Sequence, residues 1–438
     1  MRSLPLTVLV IIGITGDLSI RKLLPAIEQI ASLGAAPEQL HVIGLTRRNV
    51  SPNDVLQKVS IQTTFLQQAL EMFQMDFSSS NDFLKLKQRL TQLKNELGSS
   101  TQVLFYLSIP PQISHSIITL LGDHGIAQPP NTKLLLEKPF GVDLESAEEL
   151  IEHIKNHFTE DQVYRIDHYL AKEMTQNLVV FRQGNSLIKQ TWNKDFIESI
   201  EVLASESLGI EGRAEFYEQT GALRDLIQSH LLELAALVLA DLPSSDLSDI
   251  PAQRLAALQQ LKTPQDIDAA VVRAQYEGYR DEVSNPVSLV ETFVSVRLFS
   301  SDPRWEGVPI NLTTGKSLAT KTTEIRIKYK QKHADEANTL ILHIQPDEGV
   351  EFDIWAKRPG YERELQKLPL SFEYQTHFDE LPEAYEKVFL DAMKSDHTLF
   401  TRSDEVLETW RILDPIQKHW EMSADIPIYP KKSLPENI

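Results

Sequence analysis

The sequence predicts an α/β domain built on a parallel sheet, residues 1–165, followed by an α+β domain with a large, mainly antiparallel sheet, residues 166–438. Three observations predict this. The chain has 438 residues, more than a single compact core usually sustains, so two domains are the natural expectation. Its first third alternates short apolar runs with helical patterns, which implies a parallel sheet covered on both faces. Several later stretches alternate apolar and polar residues at a period of two, the pattern of an antiparallel sheet with one covered face.

Taken in order, residues 6–12 are wholly apolar or small and read as a first strand. Residues 18–33 follow as a helix, with Leu23, Ala26, Ile27 and Ile30 on one face. Residues 41–45, 103–109 and 133–136 read as further strands, and 113–121 and 144–157 as helices between or after them. Beyond residue 165 the character changes. Residues 170–182 and 225–239 are amphipathic or apolar helices, and 287–298, 323–329 and 339–344 alternate as strands. Two helices, 382–395 and 403–420, close the pattern.

The composition, 42% hydrophobic and 24% charged, is that of an ordinary globular protein. A net charge of −19 argues against a nucleic-acid partner, which calls for a basic stripe. Any phosphorylated ligand must then be drawn by a local cationic cluster working against the global field. The absence of cysteine removes disulfides, zinc thiolates and thiol nucleophiles, and suits a cytoplasmic setting. No metal site is read. The apolar run from Leu6 to Ile14 is far shorter than the roughly 20 residues of a membrane span and runs into a charged helix start, so it reads as a buried strand and no membrane partner is expected.

Behind that strand stands Gly13-Ile14-Thr15-Gly16-Asp17-Leu18. A glycine turn before a helix lets backbone N–H groups approach a pyrophosphate. The spacing is G-x-x-G rather than G-x-G-x-x-G, so an ordinary strand–helix turn fits as well. After the second predicted strand come Thr46-Arg47-Arg48, where an NAD site usually places an acidic residue. Guanidinium forks suit the 2′-phosphate of NADP, although a solvated arginine pair is common anywhere. Further on, a helix starting near Asp167 would place His168 and Lys172 on one face as a phosphate site, or would be a plain capped surface helix. By periodicity alone His230, inside an apolar helix, is a core histidine.

Arg165-Ile166-Asp167-His168-Tyr169-Leu170-Ala171-Lys172-Glu173 resembles the R-I-D-H-Y-L-G-K-E signature of glucose-6-phosphate dehydrogenases. Other stretches resemble that family in its own order. They are Gly16-Asp17-Leu18 with Arg21-Lys22-Leu23, Glu137-Lys138-Pro139-Phe140-Gly141, Arg224-Asp225 with His230, Gly315-Lys316, Pro382-Glu383-Ala384-Tyr385-Glu386, Phe400-Thr401-Arg402-Ser403-Asp404-Glu405 and Trp410-Arg411-Ile412. The resemblance implies a Rossmann-type coenzyme domain, glucose 6-phosphate and NADP as ligands, and a homodimer or dimer of dimers through the large sheet. NAD stays open as a second acceptor, because Arg47 can stack on adenine without a 2′-phosphate.

It implies His230 as the base and Asp167 as its orienting carboxylate. His168, Tyr169 and Lys172 would hold the 6-phosphate. Glu206, Asp225, Lys316 and Lys321 would meet the sugar, and Lys138 both sugar and coenzyme. Gly13, Thr15, Gly16, Asp17, Leu18, Lys22, Arg47 and Pro110 would line the coenzyme side. Lys22, Arg47, Lys138, His168, Lys172, Lys316 and Lys321 together would supply the local cationic cluster that an acidic chain needs. Four departures from the family pattern stand out: Ala171 for glycine, Ser229 for asparagine, Ala214-Glu215 for a glycine pair, and Thr313 where many members carry arginine. Two alternatives remain at this point, a related sugar or sugar-phosphate NAD(P) oxidoreductase and a non-catalytic NADP-binding paralogue.

Overall fold

The computed structural model describes residues 4–242, 247–331, 337–378, 381–422 and 425–438. The chain forms two compact units. The first takes Met1–Gly141, Glu145–Ala171 and Pro382–Ser403, and the second Val142–Leu144, Lys172–Leu381 and Asp404–Ile438. The division is therefore not a single cut, because the chain returns to the first unit late.

The first unit is built on strands β1 (Thr7–Ile12), β2 (Leu40–Thr46), β3 (Leu70–Gln74), β4 (Gln102–Leu107), β5 (Thr132–Leu136) and β6 (Val163–Ile166). All six are parallel, in the order β6-β5-β4-β1-β2-β3. β1, β4 and β5 are buried at every residue, which is why their sequences run apolar without alternation. β3 and β6 escape a reading by hydrophobicity for different reasons. β3 is partly exposed, while β6 carries Arg165, only 1% exposed and paired with Glu160 at 2.7 Å.

The helix expected at 18–33 forms in two windings. Hydrogen bonds spaced five residues apart run through Ser19–Leu23, and an α-helix follows at Leu24–Ser32. The late helix Ala384–Lys394 belongs to this unit's core: Val388, Phe389, Ala392 and Met393 join Leu9, Ile11 and Tyr106. Buried polar groups pin it, with Lys133 Nζ donating to Ala392 O at 2.5 Å and Gln102 Nε2 to Met393 O at 2.9 Å.

The second unit carries β7 (Ile197–Ser205), β8 (Leu261–Lys262), β9 (Val271–Tyr276), β10 (Phe293–Ser300), β11 (Ile310–Gly315), β12 (Thr322–Tyr329), β13 (Thr339–Gln345), β14 (Gly349–Lys357) and β15 (Leu365–Glu373). β16 (Phe400–Thr401) returns to the first sheet, antiparallel to β6, and β17 (Ile428–Tyr429) ends the second. The large sheet runs β15-β14-β13-β12-β7-β11-β10-β9-β17, antiparallel except at β7–β11 and β9–β17, with β8 beside β10. β13 alternates buried and half-buried residues along its length, as its sequence pattern requires. Two expectations need correction. The strand read at 287–298 begins only at Phe293, because Ser288 and Val290 sit in local turns. The helix read from Leu170 begins at Glu173. Among the described residues no helix is long and apolar enough to cross a membrane.

Candidate active site

In the first unit the predicted coenzyme residues gather at the carboxyl ends of the parallel strands. The strand order reverses between β1 and β4, the point at which open α/β sheets leave a crevice for a ligand. Gly13 leaves β1 with φ 90°, and a Cβ there would sit 2.2 Å from the Ser108 carbonyl oxygen. Only glycine permits that approach. Gly16 N–H closes the turn on Gly13 O at 2.9 Å, and Ser19 Oγ ties it to Ser108 Oγ behind β4 at 3.0 Å. Thr15 and Leu18 are half-buried beside this turn. Asp17 is exposed and 3.5 Å from Arg21, and Lys22 reaches Glu383 at 3.2 Å. Arg47 and Arg48 are exposed past the end of β2, and Pro110 is exposed where the helix Pro111–Asp123 begins.

Lys138 follows β5, and its bond to Pro139 is cis. Glu137 beside it accepts hydrogen bonds from the Tyr106 and Tyr385 hydroxyls. Burial pushes the Glu137 carboxyl up, against the pull of Tyr106, Lys138 and Tyr385. Burial also holds both tyrosines protonated, well above their usual range, with the Glu137 charge adding to the effect.

The segment after β6 is not helical. Asp167 Oδ1 accepts the Tyr169 N–H at 2.8 Å, a side-chain turn that competes with a helix, and Lys172 is extended at ψ 142°. His168 and Lys172 therefore do not share a helix face. The His168 and Tyr169 rings lie tilted with centroids 5.0 Å apart. Ala171, just ahead of the cap Lys172 of the helix Glu173–Gly184, belongs to the apolar core of this unit.

In the second unit, Lys316 follows β11 and is 4% exposed. Its ammonium pairs with Glu206, at the end of β7, and lies 4.0 Å from Asp225. The Tyr217 ring packs beneath it at 5.1 Å, and the Tyr429 hydroxyl donates to its carbonyl at 2.5 Å. Burial raises the Tyr217 hydroxyl well above its usual range, with Asp225 the next cause, so it stays protonated. The sequence reading missed Tyr217 and Tyr429. Neither carries a local signal, since they come from segments far apart in the chain.

Asp225 and His230 sit in Leu223–Leu231, wound like Ser19–Leu23 with bonds spaced five residues apart. Such windings are frequent at functional sites. His230 is 1% exposed. Lys172 is half-buried just ahead of the helix Glu173–Gly184. Lys321 is exposed one residue before Thr322, which pairs with Ser205 next to Glu206, and it lines a cleft of about 300 Å³ with His343, Gln345 and Phe372.

Comparison with known proteins decides what this arrangement belongs to. Residues 10–177 match the model of the glucose-6-phosphate dehydrogenase NAD binding domain, and 179–436 that of the glucose-6-phosphate dehydrogenase C-terminal domain. The chain belongs to the glucose-6-phosphate dehydrogenase family. The glucose-6-phosphate 1-dehydrogenase of Chlamydia muridarum is 36% identical, across 97% of this chain and 92% of that one. The Bacillus subtilis enzyme is 35% identical, across 98% and 95%. A solved glucose-6-phosphate dehydrogenase in complex with its substrate glucose 6-phosphate superposes with a TM-score of 0.91 at 30% identity, over 99% of this chain and 96% of that one.

The other departures from the family pattern are absorbed locally. Ser229 Oγ bonds back to Asp225 O at 2.6 Å. Ala214 and Glu215 open the helix Ala214–Ala222, and Thr313 on β11 meets Ser295 at 2.9 Å.

Proposed function

We propose that this chain oxidises glucose 6-phosphate at C1 to 6-phosphoglucono-1,5-lactone with NADP as acceptor, the first step of the oxidative pentose phosphate route in the cytoplasm. The observation that carries this reading is the retention of His230 and Asp167, with His168, Tyr169 and Lys172, in a chain that belongs to this family nearly end to end. A non-catalytic coenzyme binder has no need of the first two, and an enzyme for unphosphorylated sugars has no need of the last three.

His230 takes the proton of the 1-hydroxyl as C1 gives up its hydride and the C1–O bond becomes a carbonyl. Neutral imidazole is suited to this near neutral pH, and Asp167 orients it and stabilises the imidazolium that forms. His168, Tyr169 and Lys172 hold the 6-phosphate by charge-assisted hydrogen bonds. Glu206, Asp225 and Lys316 fix the sugar hydroxyls through the ion-paired cluster described above, and Lys138 serves sugar and coenzyme. Lys321, across the β12–β7 pairing from Glu206, donates to the sugar beside Lys316.

The residues at the carboxyl edge of the first sheet fit a dinucleotide. The Gly13–Gly16 turn opens the helix start to a pyrophosphate, and Thr15, Asp17, Leu18, Lys22 and Pro110 border it. Arg47, exposed at the end of β2, suits a 2′-phosphate and favours NADP over NAD. Bound there, NADP supplies the nicotinamide carbon that accepts the hydride. We also infer a homodimer or dimer of dimers through the large sheet, supported by the exposed apolar residues Leu365, Leu368 and Leu370 on its edge strand β15. Light scattering of the purified chain tests that assembly.

The function is tested by following nicotinamide reduction with glucose 6-phosphate against glucose, and NADP against NAD. Reduction of NADP with the phosphorylated sugar alone is the expected result. Turnover with free glucose alone would overturn the phosphate site, and silence with every pair would overturn the enzyme.

A further inference from the structure

The helix that carries Asp225 and His230 is capped by a residue from a distant part of the second unit. Gly221 breaks the preceding helix with φ 65° and ψ 177°, so the chain starts winding again at Ala222. The Ala222 N–H donates to the main-chain oxygen of Glu291 at 3.0 Å. The Leu223 N–H donates to the Glu291 carboxylate, also at 3.0 Å. Glu291 is 8% exposed and lies just ahead of β10. One residue thus meets two of the donors that every helix start leaves orphaned, and its charge faces the positive end of the helix.

The fit is close on both sides. A Cβ at Gly221 would stand 2.4 Å from Glu291 Oε1 and 2.9 Å from its Cδ. At the other end of the same helix, Arg182 donates to Leu237 O and Ala240 O, Trp192 to Val238 O, and Arg304 and Trp305 to Leu239 O, at 2.8–3.1 Å. Those five bonds come from four side chains. At the start of the helix, two residues before Asp225 and seven before His230, Glu291 takes the Ala222 and Leu223 N–H groups. The Arg224 side chain donates to Gln417 Oε1 at 2.6 Å and to Val142 O at 2.8 Å.

We propose that Glu291 is a positioning residue for the oxidation, setting through its reach to Leu223 the height and rotation of the winding that presents Asp225 and His230. This rests on the function proposed above. A side-chain anchor that acts by reach is sensitive to length more than to charge. Glu291→Gln keeps both the length and an acceptor oxygen, while Glu291→Asp keeps the charge and withdraws the oxygen by one carbon.

The experiment compares kcat, KM and melting temperature of the full chain and these two variants. Glu291→Asp should lose about 10–100-fold in kcat, the effect of a displacement near 1 Å, with the KM for NADP unchanged. Glu291→Gln should recover most of that loss. A glutamine variant as slow as the aspartate one, or slower, would overturn the proposal in favour of a charge effect. Parent-like kcat in both variants would also overturn it. Should the parent chain be silent with every substrate, the function reading falls by itself. The His230 imidazole NMR signal, assigned by its loss in His230→Asn, then decides the positioning: it shifts in Glu291→Asp if Glu291 sets the helix and holds its place if Glu291 does not.

Discussion

The two units hold their candidate residues by different physical means. At the edge of the first sheet the work is done by main chain. A glycine with positive φ, a turn closed on Gly13 O and the ends of parallel strands define the surface, and the charged groups there, Asp17, Lys22 and Arg47, are exposed. In the second unit the work is done by buried side chains. Lys316 lies under Glu206 and Asp225 and over Tyr217, and His230 is enclosed in an unusually wound helix. A main-chain surface keeps its shape when its exposed charges are exchanged but not when its glycine is. A buried network tolerates neither the loss of a partner nor a change of reach, because each desolvated charge depends on the others.

The largest expected effect falls on the buried side. His230→Asn should lower kcat by about 10²–10⁴-fold while leaving NADP binding to the first unit intact, read by turnover and by coenzyme titration. A variant that also lost coenzyme binding would break the contrast between the units. Lys316→Met leaves two carboxylates without their shared ammonium, and the KM for glucose 6-phosphate should rise about 10–100-fold. An unchanged KM would move the sugar away from that cluster.

Gly13→Ala should act on the main-chain side. The methyl must displace the Ser108 carbonyl, at a cost of about 1–3 kcal/mol read as a lower melting temperature, and NADP affinity should fall about tenfold with the sugar KM unchanged.

The smallest effect lies far from either site. The His41 hydrogen bond, and then Arg89, hold the Glu71 carboxyl at about 2, well below its usual 4.5. A depressed carboxyl stabilises the fold above its unfolded pKa, and that stability is lost as pH falls from about 4.5 to about 2. Glu71→Gln should therefore cost on the order of 1 kcal/mol near pH 6, with the difference from the parent vanishing towards pH 2 in a melting series.

Much of the first unit was legible in the sequence because its strands are buried on both faces and its turn needs glycine. β1, β2, β4 and β5 stand out as apolar runs, and Gly13-x-x-Gly16 follows the first of them. β6 was hidden by Arg165, whose charge is neutralised by Glu160 rather than by solvent. In the second unit β12, β13 and the helix at 403–420 were readable from period alone, but β7, β9, β11, β14 and β15 were not. The segment 167–172 was misread as a helix because Asp167, a good helix cap by type, instead accepts the N–H two residues on.

The sequence by itself determined the two sheet types, the family, and the identity of the residues proposed for the chemistry, because periodicity, glycine turns and ordered motifs are local properties of the chain. Tertiary structure alone decided what surrounds them. The return of Pro382–Ser403 to the first core, the Tyr217 ring under Lys316, and the Glu291 carboxylate at the start of the His230 helix each join residues far apart in sequence. No local pattern encodes such pairings, since a buried charge or an orphaned N–H is indifferent to how distant in the chain its partner is, provided the fold brings it within hydrogen-bonding reach.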